Sequence, residues 1–255
     1  MISFHMTMGI GALLFFSGLC AGFIDSIAGG GGLVSVPVLL SVGMPPQIAL
    51  GTNKLQSSFG SFSASCYYIK KGAADLKKAG KGILFTLAGA VAGSWLLQQL
   101  DPGFIRHIIP FMLLVVFLYT LFSGKMGYET HDPIMPETLF YILAGFCLGF
   151  YDGFFGPGTG SFWTAAFIIF LGFNMTKAAG FTRIMNFTSN IVALLIFIIG
   201  GKVIYSAGLC MASGQIIGAF LGSRLAVRNG AKFIRPVFMT VILATILRLI
   251  YINYA

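Results

Sequence analysis

The chain has 255 residues, of which 57% are hydrophobic and only 9% charged, and its mean hydropathy is +0.90. A soluble globular chain carries about 25% charged residues to wet its surface, so this composition excludes a soluble enzyme and a disordered chain and leaves a polytopic membrane protein. The net charge of +9 comes from basic residues gathered in short loops between apolar runs; that is the positive-inside pattern, and it calls for a lipid bilayer and no nucleic acid.

Taken in chain order, the apolar segments fall at about residues 8–24, 33–42, 52–69, 82–98 and 104–123, and then at 138–151, 159–172, 179–200, 203–223 and 234–252. The last three of each set approach the ~20 residues of a spanning helix. The first two of each set are short, and a glycine-rich break separates them, as in a pair of half-helices or a re-entrant pair; two short tilted spans stay open. Residues 1–9 lack the basic flank of a signal peptide, so the whole chain is taken as mature.

The two sets are repeats. Phe23-Ile24-Asp25 matches Phe150-Tyr151-Asp152, and Gly29 and Gly31 match Gly156 and Gly158, at an offset of 127. Further on the offset is 129: Lys54 matches Arg183, Gly72 matches Gly201, Gly89 and Gly93 match Gly218 and Gly222, and Phe104-Ile105-Arg106 matches Phe233-Ile234-Arg235. The expected organisation is a first transmembrane repeat over 1–125, a linker over 126–136 and a second repeat over 137–255. Loop charge orients them. Lys70, Lys71, Lys77, Lys78 and Lys81 place the loop after the third segment in the cytoplasm, whereas its counterpart is only Gly200-Gly201-Lys202. The next loop reverses the contrast: residues 99–103 carry no basic residue, and Arg224, Arg228, Lys232 and Arg235 surround the equivalent loop. Opposite bias at equivalent loops predicts an all-α fold of two inverted repeats, each with an odd number of crossings.

Small residues four apart, at Gly18/Gly22, Gly89/Gly93, Gly145/Gly149 and Gly214/Gly218/Gly222, are read as helix-packing sites. Tyr67, Tyr68, Tyr251 and Tyr254 sit near segment ends, where aromatic belts form. Trp95 and Trp163 lie deeper, facing lipid or packing. Cys20, Cys66, Cys147 and Cys210 read as small buried hydrophobes. His5, His107 and His131 are scattered at no metal-ligand spacing, and no cofactor is expected.

Three groups of residues can carry chemistry. The breaks Asp25 to Gly32 and Asp152 to Gly160 contain Gly29, Gly30, Gly31, Gly32, Gly156 and Gly158. Each precedes a helix start, where free N–H groups and the positive dipole end favour an anion; tight packing alone is the plainer use of such glycines. No Gly-Lys-Ser/Thr follows, so neither is a nucleotide-binding loop. On the third segment, Lys54, Ser57 and Ser61 share one helix face, with Asn53 and Gln56 beside them. Arg183, Asn186 and Asn190 take the equivalent places, with Thr182 alongside. A cation followed by neutral donors, twice, suits an oxyanion, against the alternative that both cations snorkel to the interface. Asp25 and Asp152 are intramembrane carboxylates: they carry protons, accept hydrogen bonds from the breaks, or pair with Lys54 and Arg183, with structural anchoring slightly ahead.

The segments Phe23 to Gly32, Thr52-Asn53-Lys54-Leu55-Gln56 and Gly149 to Pro157 resemble those of the sulfite exporter TauE/SafE family of bacterial inner-membrane permeases, and the likeness covers nearly the whole chain. The family commonly has a lysine where this chain has Arg183, whose planar fork alters selectivity. The resemblance implies secondary transport of a small inorganic or organic oxyanion such as sulfite or an organosulfonate. The expected protein is therefore a multi-pass inner-membrane exporter working by alternating access, coupled to protons and not an enzyme, with a homodimer left open. The alternative is a cation/proton exchanger using Asp25 and Asp152.

Overall fold

The computed structural model describes residues 6–101, 103–105 and 130–230. These residues are helical, with no strand among them. The helices are α1 (Met8–Ala28), α2 (Gly31–Ser41), α3 (Pro46–Lys70) and α4 (Gly80–Gln99), then α5 (Glu137–Phe140), a π-helical turn (Tyr141–Gly145), α6 (Phe146–Phe154), α7 (Thr159–Leu171), α8 (Met175–Ile199) and α9 (Tyr205–Asn229). The fifth segment of each repeat, together with Tyr251, Tyr254, His5 and His107, lies outside the described residues, apart from residues 104 and 105.

Local chemistry sets the helix ends. Thr7 caps α1 by accepting from the Ile10 amide at 3.3 Å, and Asn174 caps α8 by accepting from the Lys177 amide at 2.9 Å. Pro46 opens α3 at a position where a missing N–H is harmless. Gly29 closes α1 in the left-handed region, with φ 82, a conformation that a side chain with a Cβ disfavours.

Among the described residues, four helices are long and apolar enough to cross a membrane: α1, α4, α8 and α9. The short first segment expected from hydropathy is thus corrected in the first half: α1 has 21 residues, about 31 Å of helix. The apolar run stops at Ile24, but Asp25 and Ser26 continue the helix because protein partners satisfy them. The second segments are short as expected, at 11 and 13 residues, and neither spans a ~30 Å core. Each folds back along the helix before it. Gly31 lies against Ala21 and Asp25, while Leu39 shares a cluster with Leu14. Phe162 packs edge-on against Tyr151, and Phe167 packs at a tilt against Phe140.

Contacts also give the helix directions. Gly18 and Gly22 of α1 meet Met211 and Gln215 of α9, so those two helices run parallel. So do α3 and α9, joined from the Thr52 hydroxyl and the Ile204 amide at one end to Tyr67 and Phe220 at the other. Helix α4 runs parallel to α6, through Gly89–Phe146 and Gly93–Phe150. It also runs parallel to α8, through Thr86–Met185 and Gln98–Ile196. The central pair, α3 and α8, is antiparallel: Lys54 meets Asn190 and Phe62 meets Phe187. The first helix of each half therefore packs on the fourth helix of the other.

The glycines read as packing sites occupy these crossings. A Cβ on Gly218 would fall 2.0 Å from the Leu19 carbonyl, and one on Gly93 would fall 2.0 Å from that of Phe150. Small residues let backbones touch, which is what holds helices together in lipid. Gly218→Val is expected to destabilise the fold by about 1–3 kcal/mol or more. Gly9→Val, with nothing within 4 Å, is the control. Thermal melting in detergent checks both, and equal melting would remove the backbone contact as a source of stability.

Among the described residues large apolar side chains lie on the outside, and charged ones are buried within an otherwise apolar interior. Phe16, Leu84, Trp95 and Phe220 are exposed, whereas Lys54, Asp152 and Arg183 are buried. Trp163 is buried against Phe140 and Phe167. Two expectations are corrected here. Tyr68 belongs to no interfacial belt: it is buried and donates to the Ser26 carbonyl at 2.9 Å. Cys20, Cys66 and Cys147 are exposed and Cys210 is half-buried, because they lie on outward faces where a thiol is apolar enough for lipid. Among the described residues no His, Cys, Asp and Glu cluster can hold a metal.

Candidate functional site

The two glycine breaks meet at the centre of the molecule. A Cβ on Gly29 would sit 2.3 Å from the Gly160 carbonyl carbon, and one on Gly32 would sit 2.9 Å from Pro157 Cα. Ser161 stitches them together by donating to the carbonyls of Ala28 and Gly29 at 3.1 and 3.3 Å. Irregular backbone at membrane depth persists only where protein or water satisfies its polar groups, and here each break serves the other.

The polar faces of α3 and α8 close over this junction. Lys54 of the first half reaches Asp152 of the second: Nζ lies 2.7 Å from Oδ1, donates to the Asp152 carbonyl, and donates to Asn190 Oδ1 at 3.2 Å. Arg183 of the second half reaches Asp25 of the first, with NH1 2.8 Å from Oδ2 and bonded to the Asp25 carbonyl. The cations are 1% and 0% exposed, so neither snorkels. Each has a carboxylate partner from the opposite half, which is one of the roles left open for Asp25 and Asp152. Two cations and two carboxylates sum to zero formal charge. Taking four charges out of water costs several kcal/mol per ion, and close pairing offsets it.

The remaining carboxylate oxygens are also used. Asp25 Oδ1 accepts from the Gly31 amide at 3.2 Å, so the start of α2 already holds an anion, its own. Asp152 Oδ2 accepts from the Ser189 hydroxyl. Of the roles left open for these residues, the geometry displays cation pairing and anchoring of the break.

A cavity of about 20 Å³ lies between the faces, lined by Asp25, Gly29, Gly32, Asn53, Lys54, Ser57, Asp152, Gly156, Gly158, Gly160, Asn186 and Asn190. That is room for about one water. Arg183 is buried just behind the wall. Gly30 caps α2 and Gly31 begins it; neither lines the cavity. Gln56 sits one layer out, donating to Asn53 Oδ1 at 2.7 Å and to Ser57 Oγ at 3.0 Å. Ser61 turns its hydroxyl back to the Ser57 carbonyl, and Thr182 bonds Thr164. The residue spacing missed Ser35, which donates to Asn53, and Ser189 and Gly160. Ser189 lies one turn beyond Asn186 and was legible as part of the same polar face; Ser35 lies in an apolar run and carried no signal.

The family model "Sulfite exporter TauE/SafE" matches residues 14–249. The chain is 44% identical over 239 residues to "Probable membrane transporter protein YfcA" of Escherichia coli (strain K12), covering 94% of this chain and 89% of that one. It is 42% identical over 240 residues to "Probable membrane transporter protein" of Haemophilus influenzae, covering 94% of each, and 42% identical over 251 residues to "Probable membrane transporter protein ORF9" of Sinorhizobium sp, covering 98% and 94%. No solved structure matches. With a family model spanning nearly the whole helical array and the paired breaks at its centre, the chain belongs to the sulfite exporter TauE/SafE family of membrane transporters.

Proposed function

We propose that this protein is a secondary transporter that moves a small oxyanion, such as sulfite or an organosulfonate, out across the inner membrane by alternating access. The observation that carries the reading is the crossed pairing of Lys54 with Asp152 and Arg183 with Asp25 over two opposed helix breaks. Buried cations beside helix starts suit an anion that competes with the carboxylates for them. An aspartate that yields its cation to the anion takes up a proton, which couples anion movement to the proton gradient. The capture of both carboxylates by buried cations weighs against a cation/proton exchanger built on Asp25 and Asp152. The experiment is thermal melting of the purified protein with sulfite, methanesulfonate, sulfate, chloride and sodium. An anion at a hundred times its Kd stabilises the fold by about 2.7 kcal/mol. Stabilisation by sodium and by none of the oxyanions would overturn the reading.

We also propose that residues 1–125 and 137–255 are inverted repeats joined by 126–136. The antiparallel α3 and α8, equivalent in sequence, support this. So does the grouping of α1, α3 and α9 in one direction against α4, α6 and α8 in the other. The lysine-rich end of α3 and the arginine end of α9 then share the cytoplasmic side. In a cysteine-free background, Asp101→Cys is expected to react with an impermeant thiol reagent added outside, and Lys77→Cys to stay protected; both positions are exposed. Equal labelling would refute the inverted arrangement.

A further inference from the structure

The two buried cations are not equivalent. An ammonium has three N–H groups, and Asp152 Oδ1, the Asp152 carbonyl and Asn190 Oδ1 take those of Lys54. A guanidinium has five, and among the described residues Arg183 engages only NH1, on Asp25; its Nε and NH2 are buried without a partner there. The helix starts differ in the same sense. Asp25 occupies the first amide of α2. Asp152 spends its oxygens on Lys54 and Ser189, so among the described residues no carboxylate caps α7.

The free edge of Arg183 lies against that uncapped start. A Cβ on Gly160, the second residue of α7, would come within 2.6 Å of Arg183 NH2 and 3.0 Å of Asn186 Nδ2. A cationic edge and the positive end of a helix dipole face one another, and no acidic side chain bonds that edge among the described residues. We propose that the anion is seated here once the two breaks part, held by the Nε–NH2 edge of Arg183, Asn186 and residues 158–160, and that Lys54 belongs to the frame. The inference rests on the oxyanion reading above and narrows it. The Nε–NH2 edge holds two parallel N–H donors, which take two oxygens of one group at once. It therefore selects an oxyanion over a halide. The second break is the binding element, and the first is closed by its own aspartate.

The test uses the purified full chain, with sulfite and methanesulfonate as probes and chloride as the spherical control, read by calorimetry and thermal melting. Asn186→Asp places a carboxylate beside the free edge. It is expected to raise the melting temperature and weaken both oxyanions at least tenfold, a combination that a purely structural asparagine would not produce. Two charge-neutral exchanges then separate the cations. Arg183→Gln with Asp25→Asn is expected to lose at least tenfold more affinity than Lys54→Gln with Asp152→Asn. Equal losses, a larger loss in the Lys54 exchange, or wild-type binding by Asn186→Asp overturns the seat and leaves the oxyanion reading standing. Should either exchange fail to fold, Asn186→Asp decides alone. Chloride binding as tightly as the oxyanions overturns selection by the paired donors. Wild-type protein that binds neither probe removes the oxyanion reading, and the seat falls with it.

Discussion

Asp152→Ala is expected to destabilise the protein by about 3–5 kcal/mol, the effect of stranding a buried charge. Lys54 is left 1% exposed with only a carbonyl and an amide oxygen to face, while the Ser189 hydroxyl keeps the Met185 and Asn186 carbonyls as acceptors. Removing both charges behaves differently. Lys54→Met combined with Asp152→Leu is expected to recover most of the loss, because apolar residues of similar volume replace a pair whose desolvation already offset much of its attraction. The two residues sit in contact, so their effects are strongly non-additive, and a double-mutant cycle from detergent melting measures the coupling. A single-variant loss below about 1 kcal/mol would show that Lys54 finds another partner or water, and the pair would no longer count as a clamp between the halves.

Gly160→Val is expected to abolish oxyanion transport into or out of proteoliposomes while the protein still inserts. Gly160 lies inside α7 with an ordinary helical backbone, so the effect is steric. The added Cβ would lie 2.6 Å from both Arg183 NH2 and Gly29 Cα. The guanidinium has little room to give, since its other edge is tied to Asp25, and Gly29 is backbone. The breaks must separate or Arg183 must leave its place, and either change removes the junction. Gly29→Val adds a second penalty, because φ 82 costs a side chain about 1–2 kcal/mol. Transport flux normalised to inserted protein is the measurement. Near wild-type flux by Gly160→Val would reduce the opposed breaks to spacers.

Much of this protein was legible along the chain. Composition demanded a membrane, and internal repetition paired Asp25 with Asp152 and Lys54 with Arg183 before any contact was known. Helical periodicity put Lys54, Ser57 and Ser61, and Arg183, Asn186 and Asn190, on single faces; Lys54, Ser57, Asn186 and Asn190 line one cavity, whereas Arg183 lies behind it and Ser61 bonds back to its own helix. Hydropathy erred where polar residues continue a helix, at Asp25 and Ser26 in α1 and at Gln47 in α3, whose amide reaches the Leu100 carbonyl at 3.1 Å. A polar residue ends an apolar run in any window average, yet it continues a helix when a neighbouring element supplies its partner.

What the chain did not disclose is which element faces which. Periodicity assigns a residue to a face of its own helix and is silent about the helix that covers that face. The ion pairs join residues 98 and 158 positions apart, and each cation takes the carboxylate of the opposite half. Repeat matching alone left pairing within a half equally open. The crossed choice follows from glycine contacts that bring α1 onto α9 and α6 onto α4, carrying each aspartate to the other half's third helix. The inequality of Lys54 and Arg183 also emerges only there: both are single positive charges in the sequence, but an ammonium spends its three donors on a compact cluster, while a planar guanidinium bonded along one edge keeps the other free.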